Sequence, residues 1–239
     1  MPKVPASRRP VLARELVDTI GGRYSAELGI DLDRGPVQAD RWFLAATLFG
    51  TRISSTIVVH TYEAFAAAGV KTIADAGRRT WAELIELLGR GGYVRYDERT
   101  ARRLLALATE VAERYGRPSS LRTIEDPHEL EAALGVLPGW GPVTIRVFLR
   151  ELRGVWPGAD PALDERAEKA AVHLDLLREG RPSSLGRLQT ISEASGLDVR
   201  DVESALVRLT LAHGRGFASC PGGKHCSHLE PGVAWTDGR

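Results

Sequence analysis

Residues 134–153 read LGVLPGWGPVTIRVFLRELR. An apolar helical period closes at Leu134, the turn Leu137-Pro138-Gly139-Trp140-Gly141 follows, and Pro142 stands where a new amphipathic run begins. Proline suits the first helical position, whose amide has no intrahelical partner anyway. The spacing therefore predicts two helices joined by a tight glycine hairpin. Glycine lets the backbone come close to a ligand without a Cβ in the way, and the open amides of the second helix attract an anion. A nucleic-acid phosphate is the natural anion, bound without regard to base sequence. An ordinary helix corner is the other reading, since glycine and proline are common at corners.

The helical texture extends in both directions from this stretch, with apolar residues three and four apart and almost no alternating runs, so an all-α fold is expected. Helices are predicted over 10–21, 39–50, 54–69, 80–89, 97–116, 127–134, 142–153, 161–179, 184–195 and 199–213. Gly69, Gly89, Gly116 and Gly196 read as stops, and Asp126-Pro127 and Asp160-Pro161 as a cap followed by a first turn. Residues 23–38 read as a linker and 178–184 as a polar break. Two helical lobes follow: a central one over 38–153, with the helix-hairpin-helix at about 127–153, and a second from 1–37 with 154–239.

Of 239 residues, 43% are hydrophobic and 26% charged, which excludes disorder and collagen-like repetition. No run of apolar residues is long enough to cross a membrane, and the N-terminal stretch lacks the apolar core and cleavage site of a signal peptide, so a cytoplasmic protein without a membrane partner is expected, nucleoid-associated if bacterial. The formal net charge of +1 conceals a bias. Of 32 Lys and Arg, only Lys3, Lys71, Lys169 and Lys224 are lysines, leaving 28 arginines. Arginine offers planar, bidentate contacts to phosphate, although genome composition produces the same bias.

Beyond the hairpin comes Gly154-Val155-Trp156-Pro157-Gly158-Ala159-Asp160-Pro161, which puts a carboxylate at the start of the next predicted helix. Here the chain resembles the helix-hairpin-helix base-excision DNA glycosylases, the superfamily of endonuclease III, adenine glycosylase and 3-methyladenine glycosylase II. LPGWGP is similar to that family's LPGxG hairpin, and WPGAD to the loop carrying its essential aspartate. More loosely, residues 40–56 (DRWFLAATLFGTRISST) resemble the family's early barrel helix, and 92–104 (GYVRYDERTARRL) its glycine-tyrosine turn. His213-Gly214-Arg215 followed by Cys220 and Cys226 resembles a degraded form of the segment that holds the endonuclease III iron–sulfur cluster.

The resemblance implies a monomeric enzyme that removes a damaged or mismatched base flipped out of double-stranded DNA. Asp160 would be catalytic, opposing the positive charge that develops on the sugar and orienting water. Asp164 is the alternative, and for Asp160 the plainer role is an N-cap. Leu137, Gly139, Gly141 and Val143 would grip phosphate. Family members that also nick the backbone carry a lysine where this chain has Val143, so no Schiff base is expected and the abasic site stays intact; Lys169 is a poor substitute, and weak lyase activity is the variant reading. Arg52 would fill the gap left by the flipped base, and Tyr93 and Tyr96 would wall the base pocket. Arg95, Arg99, Arg102 and Arg103 could meet phosphates, while Trp140 is expected to pack beneath the turn.

No cofactor is required by this reading, although a monovalent cation at the hairpin is admitted. The two cysteines exclude the family's four-cysteine cluster. Cys220, His225, Cys226 and His228 are donors of the kind zinc accepts, but they are so tightly bunched that no metal is expected. Two readings from other classes compete: a non-catalytic helix-hairpin-helix module that binds DNA structure, and a structural protein built of helical bundles.

Overall fold

The computed structural model describes residues 4–51, 53–180, 184–214 and 216–229. Among them the α-helices are, in order, α1 (Arg9–Ile20), α2 (Tyr24–Glu27), α3 (Pro36–Phe49), α4 (Ser55–Ala67), α5 (Ile73–Gly77), α6 (Trp81–Arg90), α7 (Asp97–Tyr115), α8 (Pro127–Gly135), α9 (Pro142–Leu152), α10 (Glu165–His173), α11 (Ser184–Ser195) and α12 (Val199–Ala212). The described residues form no strand beyond an isolated bridge between Arg153 and Trp156. The all-α expectation holds. No described helix is long and apolar enough to cross a membrane.

The chain divides into two compact units, Ser25–Pro161 and a terminal unit made from Met1–Tyr24 with Ala162–Arg239. The central unit is built around α3, where Trp42, Phe43, Leu44, Ala45, Ala46 and Leu48 are all fully enclosed. A helix buried on nearly every side shows little amphipathic period. Phe43 stacks on Trp140 at 4.2 Å between centroids, and Phe148 meets Phe43, Trp140 and Trp156 edge-on at 5.2 to 5.6 Å. These rings fasten the hairpin and α9 to α3. Helix starts are set by local chemistry: Thr72 with Asp75 and Thr80 with Glu83 form reciprocal capping boxes, and the Asp126 carboxylate accepts the amides of His128 and Glu129.

The terminal unit packs α1, α10, α11 and α12 about Leu12, Leu16, Ala170, Leu174, Leu206 and Leu209. Arg208 lies buried with its guanidinium 3.8 Å above the Tyr24 ring and donates to the Gly22 carbonyl at 3.1 Å.

Several local features depart from the sequence expectation: the stretch 23–38 read as a linker holds α2, a short helical turn at Leu32–Arg34 and the first turn of α3. α5 was not anticipated, because five residues are too short to display a period. α6 runs through Gly89 to Arg90. The helix expected from 161 starts at Glu165 instead, capped by Asp164, whose carboxylate accepts the Arg166 amide at 2.8 Å. Asp160 is therefore not a cap. The segment 154–161 is drawn back to the end of α9, where the Arg153 guanidinium donates to Asp160 and to the Pro161 carbonyl, and Trp156 packs on Phe148. The boundaries between units accordingly fall after Tyr24 rather than after residue 37, and after Pro161 rather than after Arg153, so Asp160 shares a unit with the hairpin.

Candidate functional site

The hairpin between α8 and α9 sorts its residues inward and outward. Leu137 and Trp140 point in and are nearly fully buried, and the Trp140 amide donates to the Leu137 carbonyl at 3.1 Å, closing the turn. The indole Nε1 donates to Thr47 Oγ1 at 3.2 Å, so Trp140 packs beneath the turn as its sequence suggests. Gly139 holds φ at +78°, and a Cβ there would stand 2.0 Å from Arg103 Cδ. Only glycine meets both constraints. Gly141 is extended, lies open, and serves as an N-cap without any side-chain cap, with Pro142 next. Among the described residues, no side chain caps the first-turn amides of α9. Val143 is 52% exposed and Val136 57%. Of the residues read as gripping phosphate, Gly139, Gly141 and Val143 lie at the surface, while Leu137 can offer only its backbone.

Along its length α9 is anchored by Thr144, whose Oγ1 would sit 2.0 Å from a Cβ on Gly50, and by Phe148 and the fully buried Arg150. The chain then turns: the Trp156 amide donates to the Leu152 carbonyl at 3.1 Å and the Ala159 amide to the Trp156 carbonyl at 3.1 Å. A Cβ on Gly158 would meet the Ile124 carbonyl at 2.4 Å, which keeps this loop close to its neighbour. Arg153, its side chain 5% exposed, donates from Nη1 to Asp160 Oδ1 at 2.6 Å and from Nη2 to the Pro161 carbonyl at 2.8 Å. The Asp160 side chain is 66% exposed. Among the described residues, its Oδ2 takes no hydrogen-bond partner. Asp164, the alternative carboxylate, is buried and occupied as the cap of α10, and Lys169 lies exposed on that helix.

The arginines read as phosphate-facing divide in the same way. Arg103 reaches inward to the Thr47 carbonyl and Thr51 Oγ1, each at 3.2 Å, and Arg150 and Arg153 are buried. Arg95 and Arg99 are exposed, as is Arg102, which pairs with Glu98. Tyr93 is fully enclosed and donates its hydroxyl proton to the Leu48 carbonyl at 3.0 Å. Burial pushes its phenol above the ordinary range despite opposing hydrogen bonds and the Arg103 charge. Tyr96 is half-buried, with the Arg95 guanidinium 5.3 Å from its ring centroid. Arg52 lies outside the described residues.

A second cluster forms in the terminal unit. The structure brings Cys220 and Cys226 together, Sγ to Sγ at 3.8 Å, and adds His213 and His173. The ligand atoms of these four residues all lie within 4.8 Å of one another. His225 and His228, singled out from the sequence, are not in the group: His228 rests tilted against the His213 ring at 4.3 Å. His225 lines a cavity of about 920 Å³ with Leu12, Glu15, His173, Asp175 and Lys224. Burial pushes the Cys220 thiol up, but hydrogen bonds from Ser227, His213 and the amides of Ser227 and Gly222 outweigh it and hold the thiol at about 5. His213 could be suspected from its place just before the cysteines; His173, on α10, carries no local signal. The chain's two cysteines do not fit a four-cysteine iron–sulfur cluster.

Against known proteins, the chain matches no family model, no curated protein and no solved structure.

Proposed function

We propose that the chain is a monofunctional DNA glycosylase, hydrolysing the N-glycosidic bond of a damaged or mismatched base flipped out of double-stranded DNA. One observation carries the reading. A single helix, α9, starts at an uncapped glycine hairpin and ends at a buried arginine that holds an exposed carboxylate. The first feature suits a backbone phosphate, and the second suits the positive charge of a sugar losing its base.

In this reading the amides of Gly141, Val143 and Thr144 dock a phosphate through the open backbone, and Val136 and Val143 border that contact without charge. Fixing the phosphate fixes where the flipped nucleotide lies. The glycosidic bond then breaks with its electron pair leaving on the base. Asp160 faces the resulting oxocarbenium-like sugar, and Oδ2 orients a water whose oxygen bonds C1′ while its proton passes to the carboxylate or to solvent. Arg153 is a positioning residue, since it takes Oδ1 and leaves Oδ2 turned outward. Tyr96, half-buried with Arg95 over its ring, is the tyrosine we assign to the base, while Tyr93 serves packing. Arg52 keeps the gap-filling role the resemblance implies, and Val143 supplies no nucleophile, so the product is an intact abasic site.

The test is a panel of duplexes carrying uracil, hypoxanthine, alkylated purines, oxidised pyrimidines and mismatches, read before and after hot alkali. Strand breaks that appear only after alkali on at least one duplex support the proposal. The Arg153–Asp160 pair also suits a second reading, a non-catalytic module that binds DNA structure and uses Asp160 only to fasten its loop. Salt-dependent binding without base release from any duplex favours that one.

A further inference from the structure

We propose that His173, His213, Cys220 and Cys226 bind one zinc ion. Bonds of about 2.3 Å to sulfur and about 2.0 Å to nitrogen set tetrahedral edges of roughly 3.8 Å between sulfurs and roughly 3.5 Å between sulfur and nitrogen. The sulfurs of Cys220 and Cys226 are 3.8 Å apart, and Cys226 Sγ lies 3.7 Å from His213 Nε2. The distances are those of ligands around a single ion. A two-iron cluster places its cysteine pair and histidine pair on separate irons, a spread that a 4.8 Å group does not hold.

The hydrogen bonds are also those of a ligand set. His213 Nδ1 lies 2.9 Å from the Leu209 carbonyl, which can only accept, so Nδ1 donates there and Nε2 is the ring nitrogen left to face the cluster. His173 Nε2 is buried and has no hydrogen-bond partner among the described residues. The Ser227 amide donates to Cys220 Sγ at 3.4 Å and Ser227 Oγ lies 3.5 Å from it, neighbours of the kind that hold a ligating sulfur in place.

Two thiolates and two imidazoles leave no open position, so the ion is structural. It would tie the end of α10, at His173, and the end of α12, at His213, to the segment holding both cysteines. That segment forms no helix beyond a single short turn at Gly223–His225, and a metal clip supplies order that its own packing does not. The glycosylase proposal neither requires nor excludes this site.

The experiment uses the full chain, purified without added metal and assayed for zinc, iron and acid-labile sulfide. One zinc per chain, without iron or sulfide, is the expected result. Replacing Cys220→Ser or His173→Ala should release the zinc, and His225→Ala and His228→Ala should retain it. Since ligand variants can misfold, the wild-type chain is also stripped with a chelator and titrated with cobalt. One equivalent taken up, with the thiolate-to-cobalt absorption of a tetrahedral site, is expected, together with a fall in Tm on stripping of more than about 4 °C. The proposal is overturned by a chain that takes up neither zinc nor cobalt, by a Cys220–Cys226 disulfide as the purified state, by an iron–sulfur spectrum, or by zinc that persists in Cys220→Ser or leaves with His228→Ala.

Discussion

Arg153 holds Asp160 by one nitrogen and the following carbonyl by another: Nη1 donates to Asp160 Oδ1 at 2.6 Å and Nη2 to the Pro161 carbonyl at 2.8 Å. With 66% of the Asp160 side chain in solvent, the pair contributes less than about 1 kcal/mol to stability. Its role is aim. Arg153→Met fills the same buried space without charge and should stay folded within about 2 kcal/mol of wild type. DNA affinity should hold, and base release should fall about 10²-fold as the carboxylate loses its bearing. Unchanged base release would leave Arg153 with only a structural role.

The hairpin glycines should separate under substitution. Gly139→Ala puts a side chain at φ +78° and against Arg103, and thermal unfolding should show a loss of about 1–2 kcal/mol. Gly141→Ala meets open space at an ordinary φ, so its stability should stay within about 0.5 kcal/mol of wild type. Binding to duplex DNA should nevertheless weaken about tenfold or more in Gly141→Ala, because the new methyl stands off the phosphate. Equal DNA affinity in Gly141→Ala and wild type would place the phosphate elsewhere.

Val143, 52% exposed in the first turn of α9, can be exchanged at little cost to the fold. Wild type should show no borohydride-trapped DNA adduct. Val143→Lys should gain one on the same substrate, since the lysine supplies the missing amine. Trapping by the wild-type chain would mean that another lysine does this work.

Acid stability should depend on Asp198, which caps α12 and pairs with Arg200 at 2.6 Å. Burial raises its carboxyl, but hydrogen bonds from the Arg200 guanidinium and amide, and the Arg200 charge, outweigh it and leave it below the ordinary 3.8. A depressed carboxylate contributes stability above its unfolded value and loses it as pH falls toward the folded one. Urea unfolding should therefore show this contribution intact at pH 7 and declining below about pH 4. Asp198→Ala should cost about 1–2 kcal/mol at pH 7 and flatten that decline.

What the sequence made legible is local. The hairpin could be read because apolar spacing, two glycines and Pro142 all lie within one short stretch, and the inward course of Trp140 followed from its bulk. α5 escaped because its five residues show no period, although Thr72 and Asp75 spell a capping box in the sequence. Asp160 misled as a cap because Asp-Pro is a strong helix start, whereas the carboxylate is captured by Arg153 on the preceding turn. Tyr93 read as a pocket wall until the Leu48 carbonyl took its hydroxyl. His173 joins the cysteines only through the packing of α10 on α12, which nothing near position 173 announces.

The central claim is tested most directly by measuring free base released from the best duplex of the panel by wild type and by Asp160→Asn, with DNA affinity measured in parallel. Asparagine keeps the size and a hydrogen-bonding oxygen for Arg153 but removes the charge. The expected result is release by wild type, loss of release in Asp160→Asn, and DNA binding within a few-fold of wild type. Undiminished release by Asp160→Asn, or no base released from any duplex by wild type, would contradict the account.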